Sequence, residues 1–371
     1  MLERGRLVLR FWTRPGSAAE DKPRDEPADV VSARAYWEIV WERFRGDRAS
    51  VLSAGFLLVL LLVCFAGEPI AASLLGHGPN DIFPLAADVN RNLLPAGPWS
   101  WVPDSHGVIT VTPQTPRTLF ILGADGPLGR DVFLRVLDGG RTSLELAFAA
   151  SGLAIALGAL IGMLSGYYKG WVDAVATRFS ELIMGFPILL FLIALGWAIS
   201  ERLSEIRLGG VVAPGVVSLA LVVGVFYCFY PARLVRSQVL SLREQEFVEA
   251  ARMVGASDFR IMRKHLLPHV AGSLVVYATQ LIALTIFLEA ALAILGVGIE
   301  LPYATWGNII ATNYGTLLAP GGPHTYTDSA FLRLTWLITL WPSLLLFLAV
   351  VSLTLVGEGV RNAVDPRAKR T

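Results

Sequence analysis

The chain has 371 residues, of which 54% are hydrophobic and 16% charged, with a formal net charge of +1. Soluble domains carry about 25% charged residues, so this balance excludes an ordinary soluble protein, and near-neutrality gives no reason to expect nucleic acid or an acidic macromolecule as a partner. Cys64 and Cys228 are the only cysteines and both fall in apolar stretches, which suits small packed hydrophobes and excludes a disulfide framework.

Residues 1–34, rich in Arg, Asp, Glu and Pro, read as a disordered cytoplasmic tail. Over 35–48, Tyr36, Trp37, Ile39, Val40, Trp41 and Phe44 alternate with Glu38, Glu42, Arg43 and Arg45, the pattern of an interfacial helix lying either on lipid or on the helical bundle. Apolar runs near 49–67, 142–166, 181–199, 211–231, 270–296 and 334–357 are each long enough to cross about 30 Å of hydrocarbon. Six spans are therefore expected, and the first lies too far along the chain for a cleaved signal peptide. Placing the N-terminus inside puts 23 of the 31 Lys and Arg residues on the inner side, so both termini and the tail 358–371 are expected in the cytoplasm.

Between the first two spans, residues 68–141 form a long extracytoplasmic insert whose prolines argue against regular helices. Its alternating run Gly107-Val108-Ile109-Thr110-Val111-Thr112 predicts a short strand. Gly152, Gly158 and Gly162 give the second span a small-residue face for close helix approach. Pro187 and Pro214 mark either helix starts or breaks around a path.

The connection 232–269 is too polar to span. Ser241 to Val254 predicts one short helix with Phe247, Val248, Ala251 and Val254 on its apolar side. Gly255 supplies a C-terminal stop, Ser257 or Asp258 caps a second helix, and Pro268 ends it. The expected product is a bent, rigid knob at the membrane surface. His265 and His269 have a zinc-compatible spacing, but Pro268 intervenes and no Glu follows His265 as a zinc protease motif requires. No Gly-x-Ser-x-Gly elbow supports a hydrolase.

This connection resembles the Glu-Ala-Ala signature of the membrane permease subunits of ABC importers. It reads Glu249-Ala250-Ala251, then Gly255, then His265, then Leu267-Pro268, with the family's spacing throughout and His265 in place of Ile. His265-Leu266-Leu267-Pro268-His269 is close to the His-Ile-Leu-Pro-Asn of the peptide and nickel branch. The resemblance extends from about 36 to 368 through Gly123-Ala124-Asp125, Gly129-Arg130-Asp131, Phe186-Pro187, Glu289-Ala290-Ala291-Leu292 and Asp365-Pro366-Arg367. It implies an all-α integral membrane protein with six transmembrane helices in the type I ABC importer permease fold, of the C-type dipeptide and oligopeptide class, in a bacterial inner membrane.

In that family the knob couples to an ATPase, which assigns the coupling role here to Glu249, Ala250, Ala251, Gly255, Ala256, Ser257, Leu267 and Pro268. The resemblance also implies a second homologous permease, two ATP-binding cassette ATPases and an extracytoplasmic solute-binding protein as partners. No phosphate loop of the type Gly-x-x-x-x-Gly-Lys-[Ser/Thr] occurs in the chain, so no cofactor is expected on it, and ATP and Mg belong to the ATPases. Nickel or a peptide antibiotic remains an alternative cargo. A membrane-embedded hydrolase or an ion-coupled carrier is the alternative from another class. Glu289, a carboxylate within a span, is either a gate or pathway residue or a bond to a neighbouring helix. Asp125, Arg130 and Asp131 are assigned to the outer mouth, where Arg130 and Asp131 either pair or help dock the binding protein.

Overall fold

The computed structural model describes residues 33–87, 95–104, 115–125, 128–194, 215–318 and 329–364. Residues 1–32, the run 107–112 and Pro214, for which expectations were stated, lie outside the described residues. Helix α1 (Ala33–Gly46) leads to α2 (Arg48–Leu62) across Asp47, whose extended backbone and side chain cap the new helix by accepting from the Ala49 N–H. Val40 and Phe44 of α1 pack against Ala363, while Ile39 and Trp41 stay exposed, so this amphipathic helix has one face on the bundle and one free.

The first span does not stop at Gly67. A π-helical stretch, Val63–Gly67, carries it into α3 (Glu68–Leu75), with Pro69 directly after the π turn, where its missing N–H would otherwise break the regular ladder. The second span, α5 (Val132–Tyr168), begins ten residues before the expected start. Its first turns carry Arg135 and Arg141, which depress local hydropathy but are satisfied: Arg135 donates to Asn80 Oδ1 and the Pro302 carbonyl, and Arg141 to Glu145. Pro187 marks a break, with α6 (Gly170–Met184) and α7 (Ile188–Ala194) meeting at 81°. Among the described residues, five helical segments are long and apolar enough to cross a membrane, and six if that bent pair forms one span.

The remaining described helices are α8 (Val216–Tyr227), α9 (Phe229–Leu242), α10 (Glu246–Met253), α11 (Asp258–Arg260), α12 (Leu267–Ile294), α13 (Trp306–Leu318) and α14 (Ser329–Val364). A second π-helical stretch, Ile261–Leu266, joins α11 to α12. Pro268 thus falls in the first turn of α12 instead of ending a helix, and Asp258–Ile294 forms one apolar rod. The wider π turns reorganise the backbone ladder just where proline removes a donor. At the other end of the chain α14 runs through Val364, past the expected end of the last span.

Helices α5 and α12 form the centre. On one side Leu146, Ala150 and Leu288 pack with Val222 and Val223 of α8; on the other Leu144 and Ile286 pack with Leu60 and Ala349. The seam between α5 and α9 is closed by missing side chains. A Cβ on Gly158 would lie 2.5 Å from Pro231 Cγ, one on Gly166 would lie 2.9 Å from Val239 Cβ, and Gly162 abuts the Ala232 carbonyl. Gly152, expected on the same face, points into open space.

Residues after α3 fold over the start of α5. A left-handed Gly76 ends α3, a single turn α4 (Pro84–Ala87) follows, and β1 (Ser100–Pro103) pairs antiparallel with β2 (Arg117–Phe120), with Trp101 opposite Leu119. Phe83, Ala86, Ala96, Val102, Phe120 and Ala124 make a small core there. Against it lies His77, buried and stacked on Phe120, with Nε2 3.0 Å from Asp131 Oδ2 and Nδ1 3.0 Å from Thr118 Oγ1. Asp131 also caps α5, its Oδ1 accepting from the Phe133 and Leu134 N–H groups. One imidazole therefore ties α3, the ribbon and the start of α5 together.

Two predictions arise from this packing. Gly162→Ala is expected to lower stability by about 1–3 kcal/mol through overpacking, whereas Gly152→Ala leaves it unchanged, as measured by the thermal midpoint of the purified protein. Burial pulls the His77 pKa down, but the hydrogen bond to Asp131, the charge of Asp131, the Leu75 carbonyl and the charge of Asp81 together outweigh it and leave it raised above 6.5. A raised folded-state pKa means that the stabilisation is complete below about pH 6.5 and is lost as pH rises through the folded value. Hydrogen exchange at Thr118 and Phe120, corrected for intrinsic rates, is expected to be slower at about pH 6 than at about pH 8, with the difference abolished in His77→Gln.

Candidate functional site

The polar connection forms an elbow at the end of α5 opposite the ribbon. Helix α9 stops at Leu242, and α10 starts only at Glu246, so the single helix expected from Ser241 to Val254 is interrupted at Arg243–Gln245. Arg243 turns there to donate to the Tyr167 carbonyl at 2.6 Å. Helix α10 ends in a complete Schellman motif: Gly255 has φ +83°, its N–H bonds the Arg252 carbonyl at 2.9 Å, and the Ala256 N–H bonds the Ala251 carbonyl at 3.0 Å. The small Ala251 and Ala256 pack with Val248, Ile261 and Leu266 inside this bend.

Ser257 occupies the N-cap position of α11 with an extended backbone but makes no capping bond from its side chain. Asp258 is used differently, accepting from the Tyr167 hydroxyl at 2.7 Å. The Arg252 guanidinium lies 5.3 Å from the centre of the Tyr167 ring. Lys169 donates to Glu244 at 2.9 Å and holds that exposed carboxyl below its ordinary value. Phe247 stacks on His269, whose Nδ1 faces the His265 carbonyl at 2.6 Å. The bend is thus braced from α5 through Tyr167.

Glu249, Ala250, Gly255, Ser257 and Pro268 are exposed, while Ala251, Ala256 and Leu267 are half-buried against the elbow's core. The apolar side differs from the expected stripe. Val248 is fully buried, but Val254 is 88% exposed, beside Met253 at 83% and Phe259 at 67%. The structure therefore presents an apolar tip on a rigid support. Nothing in the sequence around Tyr167, which follows a run of spanning residues and precedes Lys169, indicates that it reaches Asp258.

At the opposite end, Asp125, Arg130 and Asp131 are buried. Arg130 forks onto Asp125 Oδ2 at 2.6 and 2.7 Å, and the Arg130 N–H donates to Oδ1 at 2.9 Å, so Arg130 pairs with Asp125 and Asp131 with His77. These groups organise the segment from within, and their side chains reach a partner only if it opens. Glu289 lies near the same end, 1% exposed, with Oε2 accepting from Ser143 at 3.3 Å and Oε1 meeting no donor with hydrogen-bond geometry.

Residues 158–370 match the family described as binding-protein-dependent transport system inner membrane component. Residues 35–95 match the N-terminal TM domain of oligopeptide transport permease C. The glutathione transport system permease protein GsiD of Pectobacterium atrosepticum is 29% identical over 97% of this chain and 100% of its own length. A putative peptide permease protein of Brucella ovis is 36% identical over 67% of this chain and 73% of its own, and a putative peptide transport system permease protein of Brucella suis biovar 1 is 32% identical over 69% and 76%. The spanning helices and these matches agree, and the chain belongs to the inner-membrane permease components of binding-protein-dependent ABC importers, in their peptide and oligopeptide branch.

Proposed function

We propose that this chain forms half of the translocation path of an ATP-driven importer of short peptides, and that its elbow is the part an ATPase pushes. The carrying observation is the tip of Met253, Val254 and Phe259, which stands exposed on a bend fixed by the Gly255 motif and by Tyr167. An exposed apolar cluster on a braced support is suited to fill a pocket on another protein and to receive force without yielding. Glu249, Ala250 and Ser257 border that tip and complete the coupling surface.

The chain is a non-catalytic subunit in this reading. ATP and Mg sit on two ATPase subunits, a second permease completes the path, and a solute-binding protein delivers cargo to the ribbon side. The termini and the elbow face the cytoplasm of a bacterial inner membrane, in line with the excess of Lys and Arg on that side. Peptide cargo is supported by the names of the relatives. When ATP draws the two ATPases together, each elbow moves with its ATPase and shifts the paired permeases between inward- and outward-open states.

The test is reconstitution of the four membrane and ATPase subunits with the binding protein. Val254→Asp places a charge at the centre of the proposed contact and is expected to lower ATP-dependent peptide uptake at least about tenfold with the thermal midpoint unchanged. Tyr167→Phe, which removes the hydroxyl bond to Asp258, is expected to lower uptake by about two- to fivefold. Undiminished uptake in Val254→Asp, or labelling of Ser257→Cys from outside intact cells, would overturn the assignment.

A further inference from the structure

Helix α13 begins in the interior. Thr305, just before it, and its first residue Trp306 are fully buried, so the N–H groups that a helix start leaves without partners must be satisfied by protein. Thr305 and Asn308 satisfy two of them reciprocally: the Asn308 N–H donates to Thr305 Oγ1 at 2.9 Å and the Thr305 N–H to Asn308 Oδ1 at 3.0 Å. The Trp306 N–H is satisfied from another helix, donating to Ser143 Oγ of α5 at 3.2 Å. Ser143 in turn donates to Glu289 of α12. The Gly307 N–H and the Thr305 hydroxyl are the other polar neighbours of that carboxylate.

Close packing keeps these groups together. A Cβ on Gly307 would lie 2.9 Å from both Glu289 carboxylate oxygens and 2.7 Å from Ala290 Cα. One on Gly139 would lie 3.0 Å from the Thr305 carbonyl carbon, and one on Gly140 would lie 2.8 Å from the Trp306 ring. The Trp306 indole N–H donates to the Val136 carbonyl at 3.0 Å. The Glu289 carboxyl group thus stands at the positive end of α13, and among the described residues its polar neighbours are Ser143 and the start of that helix.

We propose that Glu289 is a positioning residue of the transport cycle: set against the start of α13 and bonded through Ser143, it fixes α13 to α5 and α12 so that the three move as one body at the outer end of the path. This rests on the importer reading and gives the sequence-derived gate residue a role in which it never touches cargo.

Glu289→Ala, Glu289→Gln and Ser143→Ala, compared in the reconstituted complex, separate this role from the others. Glu289→Ala is expected to lower the maximal rate of peptide uptake about tenfold while ATP hydrolysis continues, so that fewer peptides enter per ATP. The concentration of loaded binding protein giving half-maximal uptake stays the same. Glu289→Gln, which keeps the acceptor, recovers to within about threefold of the unsubstituted rate, and Ser143→Ala combined with Glu289→Ala is no worse than Glu289→Ala alone. Should Glu289→Ala fail to assemble, Gly307→Ala, which presses a methyl against the carboxylate, is expected to give the same fall in peptides per ATP. An unchanged ratio of uptake to hydrolysis, or a shifted half-maximal concentration at an unchanged ratio, overturns the proposal. Absence of ATP-driven uptake in the unsubstituted complex would instead sink the importer reading.

Discussion

The contact of α5 with α9 at Gly158, Gly162 and Gly166 puts backbone against backbone over more than two turns. In lipid, where apolar side chains gain little by leaving the hydrocarbon, such contact supplies van der Waals attraction that larger residues would prevent. Everything else is organised from α5. At one end Tyr167 holds the elbow through its hydroxyl and carbonyl; at the other Asp131 and Arg135 anchor the ribbon segment and the loop at Pro302. With 37 residues at 1.5 Å each, α5 is about 55 Å long, enough to connect both surfaces with a single element.

Buried charge at the ribbon end is handled by saturation. Asp125 receives the fork of Arg130 and the Arg130 N–H, while Asp131 serves a helix cap and an imidazole at once. A buried ion is tolerable when its remaining lone pairs are used, and here backbone donors use them. Such groups favour one arrangement of the segment over others more than they add to its net stability. Glu289 differs, with Oε2 bonded to Ser143 and Oε1 without a hydrogen bond, and it sits where three helices meet.

Much of this was legible in the sequence. The apolar runs located the spans, and the spacing from Glu249 to Pro268 located the elbow with its left-handed Gly255. Helix ends were harder to read because charge and proline carry two meanings. Arg135 reads as loop until Asn80 and the Pro302 carbonyl, distant in sequence, are seen to satisfy it. Pro69 and Pro268 read as helix breakers until each is found in a first turn after a π-helical stretch. The roles of Tyr167, Ser143 and Trp306 were illegible, since each depends on a partner at least 91 residues away.

The junction of α11 with α12 has a mechanical consequence. Because Asp258–Ile294 continues through its π-helical stretch without a loop, the outer side of the bend and the span are one lever of 37 residues. A rotation of about 5° about one end of a rod about 55 Å long carries the other end through about 5 Å. That is roughly one helical turn, the displacement by which packed helices change register. A small tilt imposed at Phe259 would be magnified by leverage alone before it arrived at Glu289.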